Sequence, residues 1–335
     1  MPLATITSSS TNNSRMPSSR IGSSLFAAKY APRYSGLFPR QLESAMGAME
    51  QVAAAGLGDA ALWRSLAPGL HLHDEEWLQR QRPLAIPSEL IESLRGLLRE
   101  EGYFQLPPQP WDLPIDAMAQ LVRMLDERGI PLPFSFMYDE FWILYYRLHG
   151  MIQGLLGPGY LRLPDFWTWL VDPQRHESGW KPHRDKGWQS LREDRSPKSI
   201  TIWLPLTRTT PLNGCMYLVP AHRDPTYGTP DDKDWRHEPA DIRALPAEAG
   251  SVFCWTQALL HWGSRTSPRG EAPRISVAFE FQAGDVPPYN QPLTQPTEVP
   301  DLALRLKLVS QQILQYRHMY PLAPEVEALA KRLLG

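Results

Sequence analysis

The stretch Arg274-Ile275-Ser276-Val277-Ala278-Phe279-Glu280-Phe281-Gln282 decides the fold class of this chain. Its alternate positions fall into two sets: Ile275, Val277, Phe279 and Phe281 on one side, and Arg274, Ser276 and Ala278 on the other. Because successive side chains of a β-strand point to opposite faces, this alternation predicts a strand with one apolar face. The other face begins with a guanidinium that would be buried and would therefore need an anion.

Shorter runs of β-branched and aromatic residues precede this strand, separated by Pro, Gly and Asp. They are residues 166–171, 199–206, 215–219 and 251–256. Several short strands with turn signals between them predict a sandwich or barrel rather than a parallel sheet. The polar, Pro-rich residues 220–241 read as a long loop that would serve as a lid.

Helical patterns lie on both sides of this β core, which we place at about residues 160–283. The predicted helices cover residues 41–55, 88–101, a segment opened by Pro114, and residues 301–334. The fold class is therefore mainly β with flanking helices. We expect one domain over residues 41–335.

Composition narrows the classes of function. The 335 residues carry a formal net charge of −2, which gives no electrostatic footprint for nucleic acid or for an anionic membrane surface. No apolar run approaches the roughly 18 residues needed to span a bilayer. The only cysteines, Cys215 and Cys254, fit neither a disulfide scaffold nor a zinc motif, so a metal here would need imidazole and carboxylate ligands.

The first forty residues are rich in Ser, Thr and Asn, and they contain basic residues but no acid. A transit peptide and a flexible tail share this composition. We expect a flexible tail and a cytoplasmic protein, with organellar targeting as the alternative. The sequence does not indicate an oligomeric state.

The tripeptide His183-Arg184-Asp185 is the main chemical signal. In a strand, residues two apart share a face, so His183 and Asp185 would project together. With His261 as a distant partner they form two histidines and one carboxylate. This set suits ferrous iron, because it occupies one face of the ion and leaves positions open for other ligands.

Arg274 follows His261 by thirteen residues and is accompanied by Ser276. A guanidinium grips a carboxylate with two charge-assisted hydrogen bonds, and a nearby hydroxyl adds a third. The pair would therefore hold the far carboxylate of 2-oxoglutarate, with Arg265 as a rival for that role. In the purely structural alternative, His183 and Asp185 form a surface pair, and Arg274 forms an ion pair with an acidic residue of the protein.

Over residues 90–282 the sequence resembles the phytanoyl-CoA dioxygenase family of Fe(II)- and 2-oxoglutarate-dependent oxygenases. The likeness is carried by the following segments in order: Glu101-Gly102-Tyr103-Phe104, His183-Arg184-Asp185, Ile202-Trp203-Leu204-Pro205-Leu206, Asn213-Gly214-Cys215-Met216-Tyr217-Leu218-Val219-Pro220-Ala221-His222, then His261 and Arg274-Ile275-Ser276. Pro-Ala-His stands where the family has Pro-Gly-Ser-His, and the loop after it is long.

The resemblance implies a double-stranded β-helix, a jelly-roll-like barrel that binds ferrous iron and 2-oxoglutarate. It implies that Trp203 and Thr201 line the co-substrate pocket. It also implies that His222, in the second copy His222-Arg223-Asp224, is not a metal ligand. The default reaction is hydroxylation of a small-molecule or peptide-like metabolite, with release of succinate and carbon dioxide. Halogenation is not expected, because Asp185 is present.

Two other functions stay open. One is a cupin-like isomerase or a dioxygenase that works without 2-oxoglutarate, and the other is a binding protein with this fold and no catalysis. For substrate contacts the candidates are Lys181, close to His183, and Trp188. Eight of the twelve tryptophans lie between Trp167 and Trp262, and apart from Trp188 and Trp203 we expect them to serve packing.

Overall fold

A computed structural model describes residues 56–335 of the chain. The predicted tail of residues 1–40 and the predicted helix of residues 41–55 lie outside the described residues. Across residues 56–335, no helix combines the length and apolar character required to cross a membrane.

Eight α-helices flank the β core within the described residues. They are α1 (Ala60–Leu66), α2 (Glu75–Arg80), α3 (Ser88–Glu100), α4 (Ile115–Glu127), α5 (Asp139–Arg147), α6 (His149–Leu156), α7 (Leu302–Gln315) and α8 (Pro324–Leu334). Aspartate side chains cap three of them: Asp59, Asp74 and Asp301 each accept a hydrogen bond from a backbone N–H in the first turn. Helices α3 and α4 match the predictions from periodicity, whereas residues 301–334 form two helices rather than one.

The core consists of two antiparallel sheets. Their strands are β1 (Tyr103–Leu106), β2 (Leu161–Val171), β3 (Ser199–Pro205), β4 (Met216–Leu218), β5 (Arg243–Leu245), β6 (Val252–Thr256), β7 (His261–Gly263) and β8 (Arg274–Gln282). The larger sheet has the order β1-β6-β3-β8-β2 and the smaller has the order β5-β4-β7. Antiparallel sheets flanked by helices confirm the predicted fold class at that level.

Strand β8 lies inside the larger sheet, between β3 and β2, and its two faces serve different purposes. The apolar set that was predicted from alternation packs with the helices in the main hydrophobic cluster: Ile275, Val277, Phe279 and Phe281. Ala278, on the opposite face, belongs to a second cluster with Trp203 and Trp255. We call the face of Arg274, Ser276 and Ala278, which points away from the helices, the inner face of the larger sheet. Its polar side chains make it the candidate location of a site.

A buried ion pair fixes the C-terminal helices against the N-terminal ones. The Arg305 guanidinium on α7 contacts the Asp139 carboxylate on α5, and neither side chain is exposed to solvent. Arg305 also donates to the carbonyl oxygen of Met137. Because an unpaired buried charge is costly, this pairing specifies how the two segments meet.

The segment around His183 corrects one prediction. Residues 183–185 do not form a strand; His183 makes an isolated bridge to His261, and the chain then turns. Pro182 has no N–H to extend a ladder, and the N–H groups of Lys186 and Gly187 both donate to the carbonyl oxygen of Gln257. The two strands that sequence patterns missed, β5 and β7, contain three residues each.

Candidate metal centre

Two histidines and one aspartate meet at the inner face of the larger sheet. The backbones of His183 and His261 exchange two hydrogen bonds, each of 3.0 Å, so the two imidazoles start from adjacent points. One ligand atom from each of His183, Asp185 and His261 lies within 4.8 Å of the other two. Among the described residues, this is the one group of three or more His, Cys, Asp or Glu side chains with that spacing. We refer to these three residues as the triad.

Backbone carbonyl groups set the orientation of both imidazoles. Nδ1 of His183 lies 2.7 Å from the carbonyl oxygen of Lys181, and Nδ1 of His261 lies 3.0 Å from that of Leu259. A carbonyl can only accept, so in the neutral imidazoles each Nδ1 carries the proton and each Nε2 has a lone pair free to bind a metal. The Nε2 atoms lie 3.4 and 3.5 Å from Oδ1 of Asp185, so all three free atoms face one point.

The other oxygen of Asp185 is held by two donors. The hydroxyl of Thr201 donates to Oδ2 at 2.7 Å, and the indole N–H of Trp255 donates to the same oxygen at 3.0 Å. These bonds leave Oδ1 to face the histidines, which suits binding to a metal through one oxygen. Thr201, predicted to line the co-substrate pocket, does line the cavity and also supports the triad. The role of Trp255 was not predicted, although its place in a short apolar strand was.

Charge and burial set the protonation of the triad. Burial would raise the pKa of Asp185, but His261, His183 and Thr201 together hold it well below its usual range. Burial lowers the pKa of His261 to about 4. Burial would also lower the pKa of His183, yet the adjacent Asp185 carboxylate outweighs it and raises that pKa. An ionised carboxylate and a neutral imidazole are the forms that bind metals.

Arg274 lies at another point of the same inner face and has no acidic partner. Its side chain is buried, and it forms no ion pair with any residue from 56 to 335. One nitrogen, Nη1, donates to the carbonyl oxygen of Gly214 at 2.8 Å, while Nε has no hydrogen-bond partner. Burial lowers the pKa of Arg274 to about 10, as expected for a cation that lacks a counter-charge. The hydroxyl of Ser276 is also buried without a partner.

The rival Arg265 is exposed at the surface. The guanidinium of Arg274, by contrast, lies 5.8 Å from the ring centre of Trp203, which also lines the cavity. Gly263 makes room for Arg274, because a Cβ atom there would lie 3.1 Å from Nη1 and 2.7 Å from the Cα atom of Gly179.

One cavity contains both the triad and Arg274, and its empty space is about 570 Å³ with the open mouth included. Five tryptophans line it: Trp167, Trp169, Trp180, Trp203 and Trp255. Of the tryptophans expected to serve packing, Trp167, Trp169, Trp180 and Trp255 also line this cavity.

Lys181 and Trp188, the predicted substrate contacts, do not line the cavity. Both are exposed, and Trp188 has 38% of its surface accessible. In a regular strand Lys181, two residues before His183, would share the face of His183. That segment turns instead, so the alternation of side chains does not hold there.

The residues present fit ferrous iron and 2-oxoglutarate. Two imidazoles and one carboxylate converge with their free atoms. Nε of the buried Arg274 in the same cavity lacks a hydrogen-bond partner, and so does the buried hydroxyl of Ser276, two residues further along β8. Buried polar groups without partners are rare in native structures, so the last two atoms indicate a missing anion. A dicarboxylate that also chelates iron meets both requirements.

Residues 151–274 match the model of the family described as phytanoyl-CoA dioxygenase (PhyH). The matched residues run from helix α6 through the triad to Arg274. The match confirms, over this part of the chain, the resemblance that the sequence motifs indicated. A search among curated proteins gives no match to this sequence.

Several solved structures are similar in chain trace. The non-heme alpha ketoglutarate dependent epimerase SnoN from nogalamycin biosynthesis has 18% identity and a TM-score of 0.46, with 59% of this chain and 82% of that chain covered. The non-heme monooxygenase ThoJ has 14% identity and a TM-score of 0.46, with 71% and 99% covered. HygX from Streptomyces hygroscopicus has 12% identity and a TM-score of 0.45, with 60% and 90% covered. At these scores the likeness adds nothing to what the strands and the triad show.

Proposed function

We propose that this protein is an Fe(II)- and 2-oxoglutarate-dependent oxygenase. In this proposal His183, Asp185 and His261 hold the metal, and Arg274 with Ser276 holds the far carboxylate of 2-oxoglutarate. The observation that carries it is the presence, in one cavity, of the triad and a buried guanidinium that has no acidic partner among residues 56–335. The guanidinium argues against a cupin-like enzyme that works without a dicarboxylate, because such an enzyme has no use for it.

Iron with 2-oxoglutarate supplies oxidation by dioxygen, in which the oxoacid loses carbon dioxide and becomes succinate. The protein's own residues bind, orient and exclude water. Thr201 and Trp255 keep Oδ1 of Asp185 directed at the metal position. The carbonyl oxygens of Lys181 and Leu259 keep both Nε2 atoms directed at the same position. The indoles around the cavity limit access of water to the reacting atoms.

The same proposal includes the barrel fold, the type of reaction, a lid and one more residue of the co-substrate pocket. The two antiparallel sheets would form a double-stranded β-helix, and the reaction would be hydroxylation of a small-molecule or peptide-like metabolite. Residues 220–241, a loop with two short 3-10 helices, would act as a lid. Trp203 would contribute to the co-substrate pocket beside Arg274.

The proposal is tested with anaerobic protein, Fe(II) and 2-oxoglutarate, followed by oxygen and a panel of candidate metabolites. We expect a visible charge-transfer absorption on addition of both, and succinate release that rises with a true substrate. Asp185→Ala should remove both signals, whereas His222→Ala, which alters an exposed histidine of the second HxD copy, should retain them. Metal binding with no effect of 2-oxoglutarate would indicate the cupin-like alternative, and no metal binding would indicate a binding protein.

A further inference from the structure

The inner face of β8 changes in character along its length. It begins with Arg274 and Ser276, continues through Ala278, and ends with the carboxylate of Glu280, all four of which line the cavity or lie beside it. Six residues of strand span about 20 Å, so the two charged groups are at opposite ends of the cavity. If Arg274 binds the co-substrate, then the end at Glu280 is available to the substrate.

A second carboxylate, that of Asp165 on β2, lines the cavity at the same end. Asp165 is buried, and its contacts are neutral amides: Asn290 donates at 3.0 and 3.1 Å and Gln315 donates at 3.2 Å. Glu280 has one cationic neighbour, since its Oε2 lies 3.1 Å from Nζ of Lys186. We call Asp165, Glu280 and Lys186 the acid end; it holds two carboxylates and one ammonium.

The acid end has one carboxyl group more than it has cations. The charges of iron(II), Asp185, Arg274 and doubly charged 2-oxoglutarate would sum to zero. One carboxyl group of the acid end is then left without a cation. Burial raises the pKa of Glu280 to about 8, against the opposing effect of Lys186 and with a further contribution from the Asp165 carboxylate, so a proton neutralises Glu280 near neutral pH until a cation takes its place. Surplus negative charge in a buried place has this effect, and a bound cation would relieve it.

Three aromatic rings of the same cavity pack on one another. The ring centres of Trp167 and Tyr316 lie 4.9 Å apart, those of Trp180 and Tyr316 lie 5.0 Å apart, and those of Trp167 and Trp180 lie 6.4 Å apart. All three rings line the cavity. The faces of indole and phenol rings attract cations, most strongly where water is excluded.

We infer that the substrate of this cavity carries a cationic nitrogen, which binds against the wall formed by Trp167, Trp180 and Tyr316 with Asp165 and Glu280 as its counter-charges. This inference rests on the proposed function for the word substrate, but the binding preference itself needs neither iron nor turnover. An anionic group is disfavoured at this end, because two carboxylates would face it.

The test compares two probes of the same shape, choline and its uncharged carbon isostere 3,3-dimethylbutan-1-ol. Binding is followed by tryptophan fluorescence, both in the metal-free protein and in the protein loaded with Fe(II) and 2-oxoglutarate under nitrogen. We expect choline to bind about tenfold more tightly than the isostere, which corresponds to about 1.4 kcal/mol. Equal affinities, or no saturable binding of choline at millimolar concentrations, would overturn the inference.

Variants locate the preference. Glu280→Gln and Asp165→Asn keep the shape of each side chain but remove its charge and replace one acceptor oxygen by an NH2 donor, and each should reduce the preference for choline over the isostere several-fold. Glu193→Gln, which neutralises an exposed carboxylate outside the cavity, is the matched control. If both cavity variants kept the full preference for choline, that preference would come from another part of the protein, and the inference would be overturned. If the proposed function were wrong, the protein would release no succinate while it still preferred choline over the isostere.

Discussion

The guanidinium of Arg184 donates to Oδ2 of Asp224 at 2.6 Å, and both side chains are almost completely buried. Arg184 stands between two residues of the triad, and it also donates to the carbonyl oxygens of Asp232 at 2.8 Å and Ala258 at 2.6 Å. A single side chain thus ties the metal-binding turn to the loop after β4 and to the connection that leads to His261. The second HxD copy in the sequence is therefore structural, since its aspartate pairs with the arginine of the first.

The first prediction follows from this pair. Asp224→Asn leaves Arg184 buried beside a neutral amide, and loss of one partner from a buried ion pair costs about 3 kcal/mol of unfolding free energy. We also expect weaker binding of Co(II), used as an oxygen-stable probe, because the turn that presents His183 and Asp185 loses a support. Denaturant unfolding and metal titration measure the two effects. Asp231→Asn, an exposed neighbour in the same loop, is the control; equal behaviour of the two variants would contradict the prediction.

Alternation along β8 predicted one part of the candidate site. It placed Arg274 and Ser276 on the face opposite the core, and the order of His183, Asp185, His261 and Arg274 indicated the chemistry. Alternation does not say which strands are neighbours. The contact of Trp255 on β6 with Asp185 depends on the sheet order, which no residue pattern expresses.

The same limit explains why the acid end was missed. Asp165 and Glu280 are 115 positions apart in the sequence, and each looks like an ordinary polar residue in a strand. They meet only because β2 pairs with β8, with a register shift between Arg162 and Phe166 beside Asp165. An irregularity of this kind cannot be derived from periodicity, since it changes which face a residue joins.

The second prediction concerns Trp255. Trp255→Phe keeps an aromatic ring but removes the N–H that holds Oδ2 of Asp185. Loss of such a supporting bond commonly lowers metal affinity about 10- to 100-fold. Co(II) titration should show this loss with little change in the unfolding midpoint. Trp262→Phe is the matched control, because that indole follows His261 in sequence but stacks on Tyr217 instead. A Trp255→Phe protein with unchanged Co(II) affinity would remove the indole from the support of the triad.

The third prediction separates the two candidate arginines. Arg274→Gln removes the buried positive charge opposite the proposed carboxylate, and hydrogen bonds to charged groups contribute about 1.5–3 kcal/mol. The KM for 2-oxoglutarate should therefore rise roughly 10- to 100-fold while Fe(II) affinity stays the same. Arg265→Gln alters an exposed arginine and should leave KM unchanged. The opposite pattern would assign the co-substrate to Arg265.

The fourth prediction is the pH dependence of metal binding. The metal-free triad should hold its one titrating proton on His183 up to a higher pH than an ordinary histidine would, because the Asp185 carboxylate raises the pKa of His183 against the effect of burial, whereas burial lowers the pKa of His261 to about 4. A metal must displace that proton, so affinity should fall as pH decreases through the raised pKa, by about tenfold per pH unit. Above that pKa both imidazoles are neutral, so the metal has no proton to displace and its affinity should level off.

Calorimetry of Co(II) binding in buffers with different ionisation enthalpies counts the protons that are released. We expect about one proton per metal ion below the raised pKa and none above it, since His261 is already neutral across this range. The three groups are close enough to titrate together, so the count belongs to the triad as a unit. Release of two protons would mean that His261 is also charged in the metal-free protein, and that its burial counts for less than the Asp185 carboxylate beside it.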